Sequence, residues 1–518
     1  MREQWALHGG VDVPEVPGFC RVVDDFLTDA ECAAWIAQAE AAGFGAASSD
    51  YPPSYRDNER LVQDDAATAK AWSARLAGVA PARLDADDGA WVLAGVNARI
   101  RTCRYLPGQQ FRLHRDGVHH RGPDLRSRLT LLVYLDDGDA FGGGDTVFYA
   151  GGPATVPREL ARVRPRRGRL LIFDHALWHA GAVVEHGVKR VVRSDVLYAR
   201  DRDAGLTAPP AAETAPWTPG HQGYVWALAR LHGEVVASGG RDTTIRLWRP
   251  DGRPLGTLVG HERSVLGLVP GGDGIVYSVS RDRTLRRWRW RDGVCEAART
   301  LHDGAVLCLA RGRDTAGAGL LATGGADGVV QVLRDPPAGA RGVDATPRVV
   351  QTQQRHAGWV WDVAPLGEDA AEMGWVSVGE DGGVCIWDGR GPRARLTEPR
   401  PLRAVLPLPE REELLVGDVA GMIARWRKTA HGWTKVAVWA AHRASIRRLR
   451  SLGAGLFAST GEDRAVHVWS EHGGRPVASW CHDDFATDVL AAGARWLSAG
   501  YDGRIIDRAP WSSRREAA

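Results

Sequence analysis

From about residue 217 the chain repeats itself, and the period of that repeat limits what it can fold into. The stretches GHERSV, LHDGAV, RHAGWV and AHRASI each open a short strand pattern. The histidines of this type are His221, His261, His302, His356, His442 and His482, spaced 40, 41, 54, 86 and 40 residues apart. The gap of 86 spans two repeats, so one near residue 400 has lost its histidine, and the gap of 54 carries the insertion RDPPAGARGVDATPR. Seven units result. An aspartate six residues ahead of a tryptophan marks four of them: Asp242–Trp248, Asp282–Trp288, Asp381–Trp387 and Asp463–Trp469. Asp327 and Asp502 keep the aspartate but have Leu333 and Arg508 at the tryptophan position, and Trp426 keeps the tryptophan without the aspartate.

Each unit reads as short alternating strands parted by Gly/Asp turns. A period of about 40–45 with this grammar is the sign of a four-stranded propeller blade, so residues 217–518 are expected to form a seven-bladed β-propeller. The units resemble the WD-repeat family over roughly residues 210–518. That resemblance implies a hydrogen-bonded structural set in each blade: the histidine, a strand Ser or Thr such as Ser238 or Ser278, the turn aspartate and the tryptophan. The last unit offers only three strands. The segment before His221, AAETAPWTPG, is expected to add the fourth and close the ring, since an open propeller would leave a sheet edge exposed.

A chain of 518 residues exceeds what one hydrophobic core usually serves, so further domains are expected. A net charge of +3 is nearly neutral at this length and argues against general nucleic-acid binding. The 7 cysteines form no C-x-x-C pair and are odd in number, which reads as reduced thiols in a cytoplasmic protein. No run of about eighteen apolar residues occurs, so no membrane span is expected, and MREQWALHGGVDVP lacks the apolar core of a signal peptide.

The N-terminal part has a different grammar. FLTDAECAAWIAQAEAAG reads as an amphipathic helix opened by a capping box of Thr28 and Glu31. Strand-like runs follow: NARIRTCRYL, RLTLLVYL, DTVFY, RLLIFD and RVVRSDVLY. The expected organisation is a first domain over 1–200, a Pro/Ala-rich linker over 201–216 and the propeller over 217–518.

The stretch RLHRDGVHHRG places His114 and Asp116 two residues apart, on one face if the backbone is extended. H-x-D alone is a weak signal, and it needs a third ligand. Downstream, His179 opens a strand run in LWHAG. Two histidines and a carboxylate on one face of an iron leave three positions open, the facial arrangement of non-haem Fe(II) oxygenases. His175 is the rival for the third place, but only His179 sits in the WHAG setting. His119 and His120 read as loop residues. FGGGDT lacks the Lys-Ser/Thr of a phosphate loop and reads as a turn beside the site. PRELARVRPRRGR reads as a solvated face.

The segments RYLPGQQFRLHRDG, RLTLLVYLDD, FGGGDTVFY, GRLLIFDHALWHAG and GVKRVVRSDVLY, in this order, resemble the iron- and 2-oxoglutarate-dependent dioxygenases of the prolyl 4-hydroxylase type over about residues 20–200. The resemblance implies a double-stranded β-helix, or jelly roll, with flanking helices. It implies Fe(II), 2-oxoglutarate and O2, with ascorbate as a possible reductant for the iron. His114, Asp116 and His179 match the iron ligands. Lys189 matches, by spacing from His179, the residue that grips the distal carboxylate of 2-oxoglutarate; Arg193, four residues on along the same face, is its rival, and Arg190 points the other way. Tyr105 matches a further hydrogen-bonding position for the cosubstrate. In YRDNERL, Asn58 and Arg60 match the substrate mouth. Related halogenases leave the Asp116 position without a carboxylate, so its presence favours hydroxylation.

The substrate expected by this resemblance is a peptidyl proline or another protein residue, presented by a protein or peptide partner on the propeller. Tyr224, Trp226, Arg241, Arg281, Trp359 and Trp361 are the expected rim positions, an aromatic and arginine set that suits a hot spot. The competing expectation is a WD-repeat scaffold whose oxygenase domain is sensory or inactive; the intact triad weighs against it.

Overall fold

A computed structural model describes residues 10–201, 217 and 220–508, apart from 48–50, 53–54, 87–88, 122–123, 154–155, 273, 315, 338, 368–373 and 494. The chain divides into two compact units, Met1–Ala211 and Ala212–Ala518. Beyond Asp201, the expected linker lies outside the described residues apart from its neighbours in the second unit. Among the described residues no helix is long and apolar enough to cross a membrane.

The first unit is a jelly roll. Its larger sheet runs in the order Val11–Asp12, Cys20–Val23, Leu170–Asp174, Leu125–Tyr134, Lys189–Arg200, Arg99–Tyr105, Glu59–Asp64, Gly45–Ala46, and Gly89–Val96 pairs with the far half of Lys189–Arg200. The smaller sheet runs Arg158–Val163, Thr146–Ala150, Trp178–Gly181, Phe111–His114. All five strand-like runs of the sequence appear as strands.

Period-two alternation sorts the long strands between two cores. Leu129, Leu131 and Val133 face one core, together with Val192 and Val196 of the neighbouring strand. There they meet Cys32 of the helix Asp29–Ala42 and Ala69 and Trp72 of the helix Ala66–Arg75. The first helix opens as its sequence demands: Thr28 caps the N–H of Glu31, and Glu31 reaches back to the N–H of Thr28. The other face packs Tyr134, Val191, Cys103 and Tyr105 against Phe111, Phe148 and Val163 of the smaller sheet. The site described below opens off this second core.

Among the described residues the second unit is a ring of seven antiparallel sheets, six of four strands and a last one of three, each in chain order. In blades one, two and six the structural set is complete. In the first blade His221 Nδ1 meets Asp242 at 2.9 Å, His221 Nε2 meets Ser238 Oγ at 2.7 Å, and Trp248 Nε1–H donates to the same Oγ at 2.8 Å. His261, Asp282, Ser278 and Trp288, and His442, Asp463, Ser459 and Trp469, repeat it. Burying polar groups is tolerated because each finds a partner.

The blade over Leu402–Ala440 lacks the histidine, as the 86-residue gap implies. Its Trp426 turns to Glu398 instead, at 2.8 Å, and Glu398 also receives Lys435 at 2.7 Å. The ring closes between the last and first blades: Asp488 accepts from the N–H of Leu228, and Thr487 Oγ donates to the carbonyl of Val225. Trp217 donates its N–H to Ile505 and packs on Trp248 and Leu497. Trp217 therefore stands where the missing fourth strand would begin; the rest of AAETAPWTPG, apart from Gly220, lies outside the described residues.

Candidate metal centre

Two paired strands bring the candidate ligands together. His114 closes the strand Phe111–His114, and its Cα pairs directly with His179 of the adjacent strand Trp178–Gly181. Asp116 follows two residues on, past the strand end. The two imidazole rings are 4.2 Å apart between centroids. His114 Nε2 is 3.5 Å from Asp116 Oδ1, and His179 Nε2 is 3.6 Å from Asp116 Oδ2. One ligand atom from each residue lies within 4.8 Å of the others, and all three residues are buried.

The tautomers follow from the backbone. His114 Nδ1 sits 2.6 Å from the carbonyl of Arg112 and His179 Nδ1 3.0 Å from the carbonyl of Leu177. Nδ1 must carry the proton to satisfy those carbonyls, which turns both Nε2 lone pairs inward. His114 Nε2 is buried without a hydrogen-bond partner, as a metal-facing nitrogen would be. Burial, and then the neighbouring His114, hold the pKa of His179 down to about 3. Burial lowers that of His114 as well. For Asp116 burial works the other way, but Arg193 and His179 outweigh it and keep the carboxyl well below its usual range. Neutral imidazoles and an ionised carboxylate are the forms that bind a metal, so the donor set fits a divalent iron.

A second layer holds these three in place. Thr130 Oγ donates to Asp116 Oδ2 at 2.5 Å and lies 2.9 Å from His175, which in turn meets Ser127 at 2.8 Å. His175 is thus spent on hydroxyls and stands behind the ligands. Arg193 contacts Asp116 Oδ1 at 2.5 Å. Phe111 stacks on His114 at 3.6 Å and Phe173 packs edge-on against His179 at 4.6 Å.

Lys189 lies elsewhere in the same interior. Its Nζ donates to the carbonyl of Gly144 at 2.5 Å, with the rings of Tyr105 and Tyr134 at 5.2 and 5.8 Å. Gly144 has φ +72°, and a Cβ there would meet Phe141 at 2.7 Å, so the glycine-rich turn is what lets the chain approach Lys189. Tyr134 donates to Thr146 Oγ1 at 2.7 Å beside it. Arg190, on the opposite face, is tied to Asp136 and Glu40.

Asn58 is fully buried, and its amide oxygen accepts from Arg56 Nε at 2.6 Å. It positions Arg56, whose Nη2 donates to Cys103 at 3.0 Å and whose guanidinium lies 4.4 Å over Phe111. Arg60 is half-buried, 5.0 Å over Tyr51. Tyr51 leads through Tyr55, at 5.9 Å, to His114, at 5.7 Å. Arg56, Tyr134 and Thr146 escaped sequence reasoning. Inward alternation from Thr130 to Tyr134 is the one signal that could have found Tyr134.

In the propeller, Tyr224, Trp226, Arg241, Arg281 and Trp361 are half-buried, whereas Trp359 is 3% exposed and belongs to an apolar cluster. His442, Asp463 and His467 also approach metal-binding spacing. Both nitrogens of His442 are already engaged by Asp463 and Ser459.

The family description "2OG-Fe(II) oxygenase superfamily" matches residues 100–195, and "WD domain, G-beta repeat" matches residues 216–249 and 252–289. Among curated proteins, nuclear distribution protein PAC1-2 of Uncinocarpus reesii is 38% identical over 109 residues, 20% of this chain and 20% of its own. Nuclear distribution protein nudF of Aspergillus terreus is 44% identical over 84 residues, 16% of this chain and 18% of its own. That of Emericella nidulans is 53% identical over 57 residues, 11% and 13%. The chain spans about a fifth or less of the length of these relatives.

Proposed function

Because the chain joins a 2OG-Fe(II) oxygenase domain to WD repeats, we propose that it is a 2-oxoglutarate-dependent dioxygenase that hydroxylates a protein residue, with the propeller recruiting the protein that carries it. The observation that carries the reading is the buried meeting of His114, Asp116 and His179, with both Nε2 atoms and the carboxylate converging.

His114, Asp116 and His179 would hold Fe(II). Bound iron with 2-oxoglutarate and O2 supplies the oxidation that turns a substrate C–H into C–OH, with succinate and CO2 as co-products. Lys189 is the cation for the distal carboxylate, because it lies among Tyr105, Tyr134 and Thr146 and away from Asp116. Arg193 is engaged on Asp116 and acts on the ligand. Phe111 and Phe173 flank the imidazoles and keep water from them. Tyr51, Tyr55 and Arg60 mark the way in for substrate. Peptidyl proline is the default target by resemblance to the prolyl 4-hydroxylase type. Tyr224, Trp226, Arg241, Arg281 and Trp361 form the recruiting surface, with Trp359 packed beneath it.

The test is anaerobic loading with Fe(II) and 2-oxoglutarate, followed by succinate release on admitting air, with ascorbate present to keep the iron reduced. Wild type is expected to bind both and to release succinate; His114→Ala is expected to lose iron and turnover together. Wild type that binds neither would replace this reading by that of a WD-repeat scaffold.

A further inference from the structure

One end of the propeller is built from equivalent positions in every blade. A residue beside each turn donates its backbone N–H to the loop that opens the inner strand: Arg241 to Tyr224, Glu380 to Trp359, Glu462 to Ser445, Tyr501 to Phe485. Just inside this, all seven inner strands shift register between their first and third residues. A bulge leaves the residue between unpaired and re-aims its side chain. These residues are Trp226, Leu266, Leu307 and Trp361 in blades one to four, Arg403 and Arg447 in blades five and six, and Thr487 in blade seven, whose hydroxyl is spent on the carbonyl of Val225.

Their contacts cross between blades that are not neighbours, so they gather at the axis. The guanidinium of Arg447, in blade six, lies 5.9 Å over Trp226 of blade one. Leu266, Leu307, Trp226 and Trp361 share one apolar cluster. Four of the seven positions are therefore apolar or aromatic, and two adjacent ones are cationic.

Arg403 is the unusual member. It lies 3.6 Å over the ring of Trp361, and its Nε is buried without a partner. Among the described residues its guanidinium makes no hydrogen bond and no ion pair. The nearby carboxylates are spent elsewhere: Glu462 pairs with Arg447 at 2.6 Å, and Glu380 accepts from Trp361 Nε1 at 2.5 Å. Burial pushes the pKa of Arg403 down, against the opposing field of Glu380. Arg403 is partly exposed and rests on the ring of Trp361, so its guanidinium is held in place with hydrogen-bonding capacity that an incoming anion can use.

We infer that this mouth binds an acidic peptide segment, a carboxylate side chain resting on Arg403 and a neighbouring apolar side chain on Trp226, Leu266 and Leu307. The inference rests on the propeller being a recruiting module. A nucleic-acid backbone suits the site poorly, because four of the seven positions are apolar and two acids, Glu380 and Glu462, flank the arginines.

The test is affinity selection of short random peptides, with and without phosphoserine, on the full chain and on Arg403→Met. Enrichment of Asp or Glu beside a large apolar residue is expected. The selected peptide should lose at least about tenfold in affinity on Arg403→Met and on Glu-to-Gln exchange in the peptide. Arg403→Met should still unfold cooperatively and should keep substrate-free succinate release. Equal binding by the variant overturns the inference, as does preference for phosphoserine. Apolar peptides selected without an acidic position overturn it while leaving recruitment by the propeller standing. Capture of no peptide at all overturns both.

Discussion

Arg193 Nη2 sits 2.5 Å from the same Asp116 oxygen that lies 3.5 Å from His114 Nε2. A cation on a ligand carboxylate fixes where its lone pairs point, and such outer-layer partners typically govern metal affinity by about 10–100-fold. Arg193→Gln is expected to weaken Fe(II) binding by about tenfold in an anaerobic titration, with 2-oxoglutarate affinity of the iron-loaded protein changed less. A variant that loses 2-oxoglutarate but keeps iron would instead give Arg193 the distal carboxylate.

Lys189→Ala should do the opposite. Truncating one partner of a buried charge pair costs about 2–5 kcal/mol, so 2-oxoglutarate affinity should fall by about 30-fold or more. Iron binding without cosubstrate should stay as in wild type. Isothermal titration with 2-oxoglutarate, on the Mn(II)-loaded protein in air, separates the two.

The same lysine sets a pH dependence. Burial holds its pKa down to about 8, from an ordinary 10.5. Below about pH 8 it is a cation, the form the proposed role requires; above, it is neutral. Affinity for 2-oxoglutarate should therefore fall as pH rises past about 8. Stability of the unliganded protein should move the other way. The unfolded chain holds this proton more tightly, so raising pH from about 8 towards 10.5 removes a penalty on the fold. Lys189→Met should flatten both profiles.

Ser238→Ala removes one hydroxyl that serves two buried groups, His221 Nε2 and Trp248 Nε1. Leaving them unsatisfied is expected to cost about 2–3 kcal/mol, read from urea unfolding of the propeller. Iron and 2-oxoglutarate binding should be untouched, because the set lies wholly in the second unit.

The blades were legible because a hydrogen-bonded set that recurs in space must recur in sequence, down to the lost histidine near residue 400. The grouping of His114, Asp116 and His179 was legible for a related reason: H-x-D at a strand end and WHAG on its partner are local patterns. The surroundings of Lys189, proposed for the cosubstrate, were only half legible. Lys189 could be placed by its distance from His179, but Tyr134, Thr146 and Arg56 come from separate strands and loops, and only sheet register assembles them. Arg56 in particular reads as a surface residue beside a turn, yet it is 2% exposed and held by Asn58 and Cys103. Trp359 illustrates the converse: an aromatic in a rim pattern can serve the packing under the rim. The helix Ala66–Arg75 has too few large apolar residues to announce itself, and Trp72 alone anchors it against Phe26 and Trp35.

The seam at Trp217 has a consequence for how the protein is made. Trp217 leaves the ribosome roughly 290 residues before Ile505, the residue whose carbonyl it meets. Through almost all of synthesis the growing ring stays an open arc with bare strand edges at both ends, while the upstream domain is free to fold. Closure waits for the last blade, so a chain stopped short of residue 505 would keep a finished oxygenase domain attached to an adhesive, unclosed sheet stack.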